Sequence, residues 1–110
     1  MKNTLQLLSR GFESSSHTTP EFLAFYNTFK KEFTFCLVNK GCTNIAINKG
    51  HFYVSGFFTK GEIMYYFSIP DVRSVNSDYT MLYRLVKDYS DYTGGTNRYI
   101  LFTQIQDILL

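Results

Sequence analysis

The chain has 110 residues, enough for one packed domain and too few for two. Hydrophobic residues make up 45% of it and charged residues 18%, a balance that excludes a disordered chain. The net charge of +2 excludes a bulk mimic of DNA, which needs a strong acidic excess, and a non-specific nucleic-acid binder, which shows a clear basic one.

In chain order, Asn3 to Phe12 carries Leu5, Leu7 and Leu8 and predicts a short helical turn. Glu13 to Thr18, with Ser14, Ser15 and Ser16, reads as a linker. Residues 1–18 are therefore expected to be a partly flexible N-terminal extension, and 19–110 a single α+β domain. The first strong element begins at Thr19, a suitable N-cap, followed by Pro20 at the first helical position and Glu21 at the positive end of the dipole. Phe22, Tyr26, Phe29, Phe33 and Cys36 recur at steps of four and three, which places them in one stripe of a helix. Lys30, Lys31 and Glu32 fall off that stripe. Gly41 supplies a left-handed stop, so the helix is expected over Pro20 to Lys40.

Strands follow. Ile45 and Ile47 alternate with Asn44, Ala46 and Asn48. After a Lys49–Gly50 turn, Phe52, Val54 and Phe58 share one face of a strand expected over His51 to Thr59, and Gly56 marks a bulge or a close backbone approach. Lys60–Gly61 makes a tight turn. Ile63, Tyr65, Phe67 and Ile69 share one face of the next strand, which Pro70 ends. Tyr79 to Tyr89 fits helix or strand, and strand is preferred because a three-stranded meander would leave an exposed edge. Thr103 and Gln106 form a capping box ahead of Ile108 and Leu109. The expected fold is α+β: one long helix on a small antiparallel sheet, a β-meander of three to four strands, with a short C-terminal helix.

Cys36 and Cys42 read as reduced thiols, since one pair in an ordinary core without a secretory signal does not make a disulfide framework. No apolar run approaches the ~20 residues of a membrane span, so a cytoplasmic location is expected and no membrane contact. No cofactor is implied, and the cysteines lack a histidine at zinc-ligand spacing.

Chemistry is sparse. His51, Asp71 and Arg73 together would imitate a nuclease or hydrolase site, while each has a plainer role as a turn or capping residue. Thr93-Gly94-Gly95-Thr96-Asn97-Arg98 would cradle a phosphate with its N–H groups but lacks the Lys-Ser/Thr ending of a Walker loop. Lys30, Lys31, Lys40, Lys49 and Lys60, gathered at one end, would bind nucleic acid with interleaved Tyr; as separate turn residues they would guard strand edges. The eleven Phe and nine Tyr exceed what a core of this size takes, and Tyr53, Tyr66, Tyr89 and Tyr92 suit an interface.

Four segments form an ordered series: Thr19-Pro20-Glu21-Phe22, Gly50-His51-Phe52-Tyr53-Val54-Ser55-Gly56-Phe57-Phe58, Tyr66-Phe67-Ser68-Ile69 with Asp71-Val72-Arg73, and Asp91-Tyr92-Thr93-Gly94-Gly95-Thr96-Asn97. From Thr19 to Tyr99 the chain resembles small α+β proteins carried by phages and integrative mobile elements of Firmicutes and other gut bacteria. It departs from them at Pro70, where the group more often has Ser, and its first eighteen residues look added. The resemblance implies a phage or mobile genetic element as context, and a stoichiometric inhibitor of a host defence protein as function. The concrete case is an anti-CRISPR protein that binds a Cas effector such as Cas9. The expected protein-binding residues lie on loops: Asp71, Arg73, Asp91, Tyr92 and Arg98. The alternatives are a small nucleic-acid- or nucleotide-acting enzyme using His51, Asp71 and Arg73, or a nucleic-acid-binding accessory module.

Overall fold

The computed structural model describes residues 2–10, 19–69, 71–72, 80–88, 95–101 and 104. The elements run α1 (Lys2–Arg10), α2 (Pro20–Asn39), β1 (Thr43–Lys49), β2 (Val54–Lys60), β3 (Ile63–Ile69), β4 (Thr80–Val86) and β5 (Arg98–Leu101). The strands form one antiparallel sheet in the order β1-β2-β3-β4-β5, so each strand pairs with its neighbour in sequence. The fold is α+β with a long helix on an antiparallel meander, as the sequence predicts. Among the described residues the sheet has five strands, not three to four, because Arg98–Leu101 pairs with β4 beyond the strand preferred over 79–89. Of the expected C-terminal helix only Gln104 is among the described residues, and the 13–18 linker and residues 73–79 lie outside them.

Helix α2 starts at Pro20, and Thr19 stands before it in an extended conformation without a side-chain cap hydrogen bond. The helix ends in a Schellman motif. Gly41, at φ 78°, takes the left-handed position that a residue with a β-carbon resists. The Cys42 N–H then bonds the Leu37 carbonyl at 2.9 Å and the Gly41 N–H the Val38 carbonyl at 3.0 Å. Leu37 and Cys42 are both buried, which adds the apolar contact typical of this ending.

Phe22, Phe25, Phe29 and Phe33 of α2 are fully buried. Phe25 therefore belongs to the core stripe, and Tyr26 sits at its half-buried margin. The rings mesh with the sheet: Phe33 meets Phe67 edge-on at 5.0 Å and Phe58 at 6.0 Å, and Phe29 meets Phe67 at 6.2 Å. Burying each such side chain stabilises the fold by about 1.5–3 kcal/mol before entropy is counted. Tyr26 donates its hydroxyl to the Ile47 carbonyl of edge strand β1 at 3.0 Å.

Helix α1 packs against α2, with Leu8 buried and Leu5 and Leu7 partly buried against the core. Its fully buried Thr4 donates its hydroxyl to a Glu32 carboxylate oxygen at 2.6 Å and its N–H to the same oxygen at 2.7 Å. The Asn3 N–H reaches the other oxygen at 3.3 Å. A carboxylate from α2 thus satisfies the first N–H groups of α1, where the helix dipole favours negative charge.

Strand β1 is irregular. Its register against β2 shifts by one between Thr43 and Ala46, and Asn44 takes a left-handed φ of 52°, as at a bulge. The close approach expected at Gly56 is present: Ala46 of β1 brings its carbonyl oxygen against the Gly56 Cα. Strand β2 begins at Val54, not His51. Gly50 to Tyr53 form the connecting turn, closed by the Gly50 N–H to Tyr53 carbonyl bond at 3.0 Å, with Phe52 at φ 63°. Phe52 takes that conformation with its ring buried and 5.5 Å from the Phe22 ring.

Candidate functional site: the outer face of the sheet

Of the five residues expected to bind a partner, Arg73, Asp91 and Tyr92 lie outside the described residues. Asp71 is half-buried just beyond β3, and Arg98 is exposed at the start of β5. Ser68, Leu82 and Tyr99 share one row across β3, β4 and β5. Asp71 follows that row and Arg98 precedes it, two strands over, so the sheet does not set these two side by side. Arg98 pairs with Tyr83 and Tyr83 with Phe67, which places Arg98 on the helix-bearing face.

His51 lies in the turn, exposed, its ring edge-on to Phe52 at 5.4 Å. The Val72 N–H bonds the Phe52 carbonyl at 2.9 Å, so the segments holding His51 and Asp71 adjoin. Gly95, at φ 94°, packs against the Leu85 carbonyl: a β-carbon there would come within 2.8 Å of that oxygen. The lysines divide. Lys30 and Lys49 both lie over the Tyr26 ring, at 5.8 and 5.9 Å, whereas Lys60 sits at the β2–β3 hairpin, near Cys42. Cys36 and Cys42 are buried and not joined by a disulfide. Burial pushes the Cys42 thiol up, with the Lys60 charge opposing it.

The antiparallel register sorts the strand residues by face. Phe67, Ile69, Met81 and Ile100 turn toward the helices and are buried. The opposite face carries a central row of Ala46, Phe57, Tyr66 and Arg84. Beside it runs the row of Asn48, Ser55, Ser68, Leu82 and Tyr99. On the other side Thr59, Met64 and Val86 align. Among the described residues no helix lies on this face. Phe57 and Tyr66 are 5.5 Å apart between ring centroids, and the Arg84 guanidinium lies over the Tyr66 ring at 4.6 Å. Asn97 accepts from Arg84 Nη1 at 2.8 Å, which fixes the cation above the ring. Tyr99 is 67% exposed. No strand position on this face is Asp or Glu.

Tyr66 is the one residue of this face that the sequence singles out. A period-two signal was present: with Tyr65 and Phe67 inward, Met64, Tyr66 and Ser68 must point outward. Arg84 and Tyr99 carried no comparable signal, because their face depends on pairing with distant strands.

Compared with known proteins, the chain matches no family model, no curated protein and no solved structure. Among the described residues, no helix is long and apolar enough to cross a membrane, and no group of three or more His, Cys, Asp and Glu is placed to hold a metal ion.

Proposed function

We propose that this protein is a stoichiometric inhibitor that binds one macromolecular partner without turnover. The partner is a host defence protein of the bacterial cell, most concretely a Cas effector such as Cas9, and the site of action is the host cytoplasm. The observation that carries the binding part of this reading is the outer sheet face. Its Phe57, Met64, Tyr66, Arg84 and Tyr99 are the residue types enriched in interface cores, and it lacks the Lys, Asp and Glu depleted there. The defence context comes from the resemblance to mobile-element proteins. The loops bearing Asp71, Arg73, Asp91, Tyr92 and Arg98 are the second candidate contact region. Titration into a purified Cas9 cleavage reaction tests the reading. Activity should fall to nothing near one equivalent; full cleavage at a large molar excess would refute the Cas9 assignment.

A second reading, a small nucleic-acid- or nucleotide-acting enzyme, is favoured by the Val72–Phe52 hydrogen bond that brings the His51 and Asp71 segments together. Substoichiometric turnover of a nucleic acid, lost in His51→Ala, would establish it.

A further inference from the structure

We infer that the seam between α1 and α2 is a second docking surface, and that its occupant is an acidic amphipathic helix of a different protein. The inference goes beyond the sheet-face reading and does not depend on it. Helix α2 packs its phenylalanine stripe on the inner sheet face, so its opposite side and the outer sheet face look away from each other.

Lys31, Phe35 and Val38 follow one another at steps of four and three, which sets them in a line along α2, apart from the buried stripe. Phe35 is 66% exposed and Val38 58%, so two large apolar side chains stand side by side in solvent. A hollow follows this line and is lined by Asn27, Lys30, Lys31, Thr34, Phe35 and Val38. A second hollow adjoins it at Lys31 and Glu32, bounded by Asn3, Gln6 and Leu7 of α1 and by Thr28 of α2. Together they make a groove with a helix on each side, the shape in which an amphipathic helix lays its apolar stripe.

Charge gives the groove its sign. Lys30 and Lys31 line it, both exposed, and the exposed Lys2 precedes Asn3 at its α1 side. Among the described residues neither Lys30 nor Lys31 is held in an ion pair. Glu32 is the one acid among the described lining residues, and its two oxygens already accept from Thr4 and Asn3. Glu21 stands ten residues before Lys31, about 15 Å away along the axis. An occupant with carboxylates beside its apolar stripe therefore meets unpaired cations next to Phe35 and Val38.

The same charges decide against a second copy of this chain. Two copies joined through the groove would bring four lysines together, with each Glu32 engaged by its own α1. Single-stranded nucleic acid needs successive rings for successive bases, and Phe35 is the one ring among the described lining residues. A lipid surface is flat: it would rest on Phe35 and Val38 and leave Leu7 and Thr28 in the seam uncovered.

The test uses the full chain, isotope-labelled for NMR, and four probes. They are an eighteen-residue helical peptide with a Leu stripe flanked by Glu, the same peptide with Lys for each Glu, a ten-nucleotide oligothymidylate, and phosphatidylglycerol vesicles. The Glu peptide should shift the amides of Leu7, Thr28, Lys31, Phe35 and Val38 and bind about tenfold more tightly than the Lys peptide. Phe35→Ala and Lys31→Glu should each weaken it about tenfold while melting like the parent, since both side chains are exposed. Lys31→Glu should also narrow the gap between the Glu and Lys peptides, which a loss of packing alone would not do. Equal binding of the two peptides, stronger binding of the oligonucleotide or the vesicles at these residues, dimerisation through them on raising the protein concentration, or no shifts on α1 and α2 would each overturn the inference. Every readout is taken without Cas9. A failed Cas9 assay therefore leaves this groove standing, and a failed peptide titration leaves the inhibitor reading to the sheet face.

Discussion

The carbonyl oxygen of Ala46 occupies the space that a β-carbon on Gly56 would need. Gly56 pairs with Ile47 on one side and Phe67 on the other, in the middle of the sheet, and the ring of Phe67 closes the remaining room at 3.0 Å from that same position. Gly56→Ala must therefore push β1 away from β2 or displace a fully buried ring, at a cost of about 3 kcal/mol or more. Urea denaturation of the variant gives the answer. A midpoint equal to that of the parent would mean that β1 yields without loss.

Phe29 stacks between Phe25 at 6.0 Å and Phe33 at 5.2 Å and is fully buried. Phe29→Ala should lower stability by about 3–5 kcal/mol, because the cavity lies between a helix and a sheet that cannot collapse into it freely. Phe35→Ala on the same helix, at a position 66% exposed, should change stability by less than about 0.5 kcal/mol. Equal losses in the two variants would place the core on the wrong face of α2.

The contact of α1 with Glu32 predicts a pH dependence. Burial raises the Glu32 pKa, but the hydrogen bonds from the Thr4 hydroxyl, Thr4 N–H and Asn3 N–H outweigh it, and the net shift is below the ordinary 4.5. A folded value below the unfolded one contributes stability that is present in full above pH 4.5 and lost as pH falls through the folded value. The chemical shifts of Thr4 and Leu8, followed from about pH 6 to about pH 3, should report loosening of α1 at the acidic end. Glu32→Gln should flatten that dependence; an unchanged profile would show that α1 is held by its leucines alone.

Cys36 and Cys42 are buried and unbridged, and the raised pKa of Cys42 lowers its thiolate fraction near neutrality. A thiol reagent should react with the folded protein at least about tenfold more slowly than with the unfolded chain. An intact mass two hydrogens below the reduced value, from protein purified without oxidant, would contradict the free thiols.

Tyr26 links the helix to the edge of the sheet. Tyr26→Phe removes the hydroxyl that the Ile47 carbonyl accepts and should cost about 1 kcal/mol. It also leaves a backbone acceptor of edge strand β1 to solvent, so the variant should aggregate sooner on heating. Light scattering during a thermal ramp measures this, and a later onset than in the parent would refute the edge-guarding role.

What the sequence determines here is what fits inside a short window. The three-four spacing of Phe22, Tyr26, Phe29, Phe33 and Cys36 specifies a helix face, Gly41 its end, and Lys60–Gly61 between alternating strands a hairpin. Each depends on local backbone sterics and a period that neighbouring residues carry themselves. The tertiary structure decides the rest. Positions 25 and 26 both fit the stripe, and Phe25 is buried while the Tyr26 hydroxyl reaches the Ile47 carbonyl. Phe52 adopts a left-handed φ, which no local preference would choose, with its ring buried beside Phe22 and its carbonyl bonded to Val72. Four residues, Arg98–Leu101, become a strand because β4 offers them an edge. The candidate site belongs to this second class: Phe57, Tyr66, Arg84 and Tyr99 come from four strands, and only hydrogen bonding between those strands sets the register that turns them to one face.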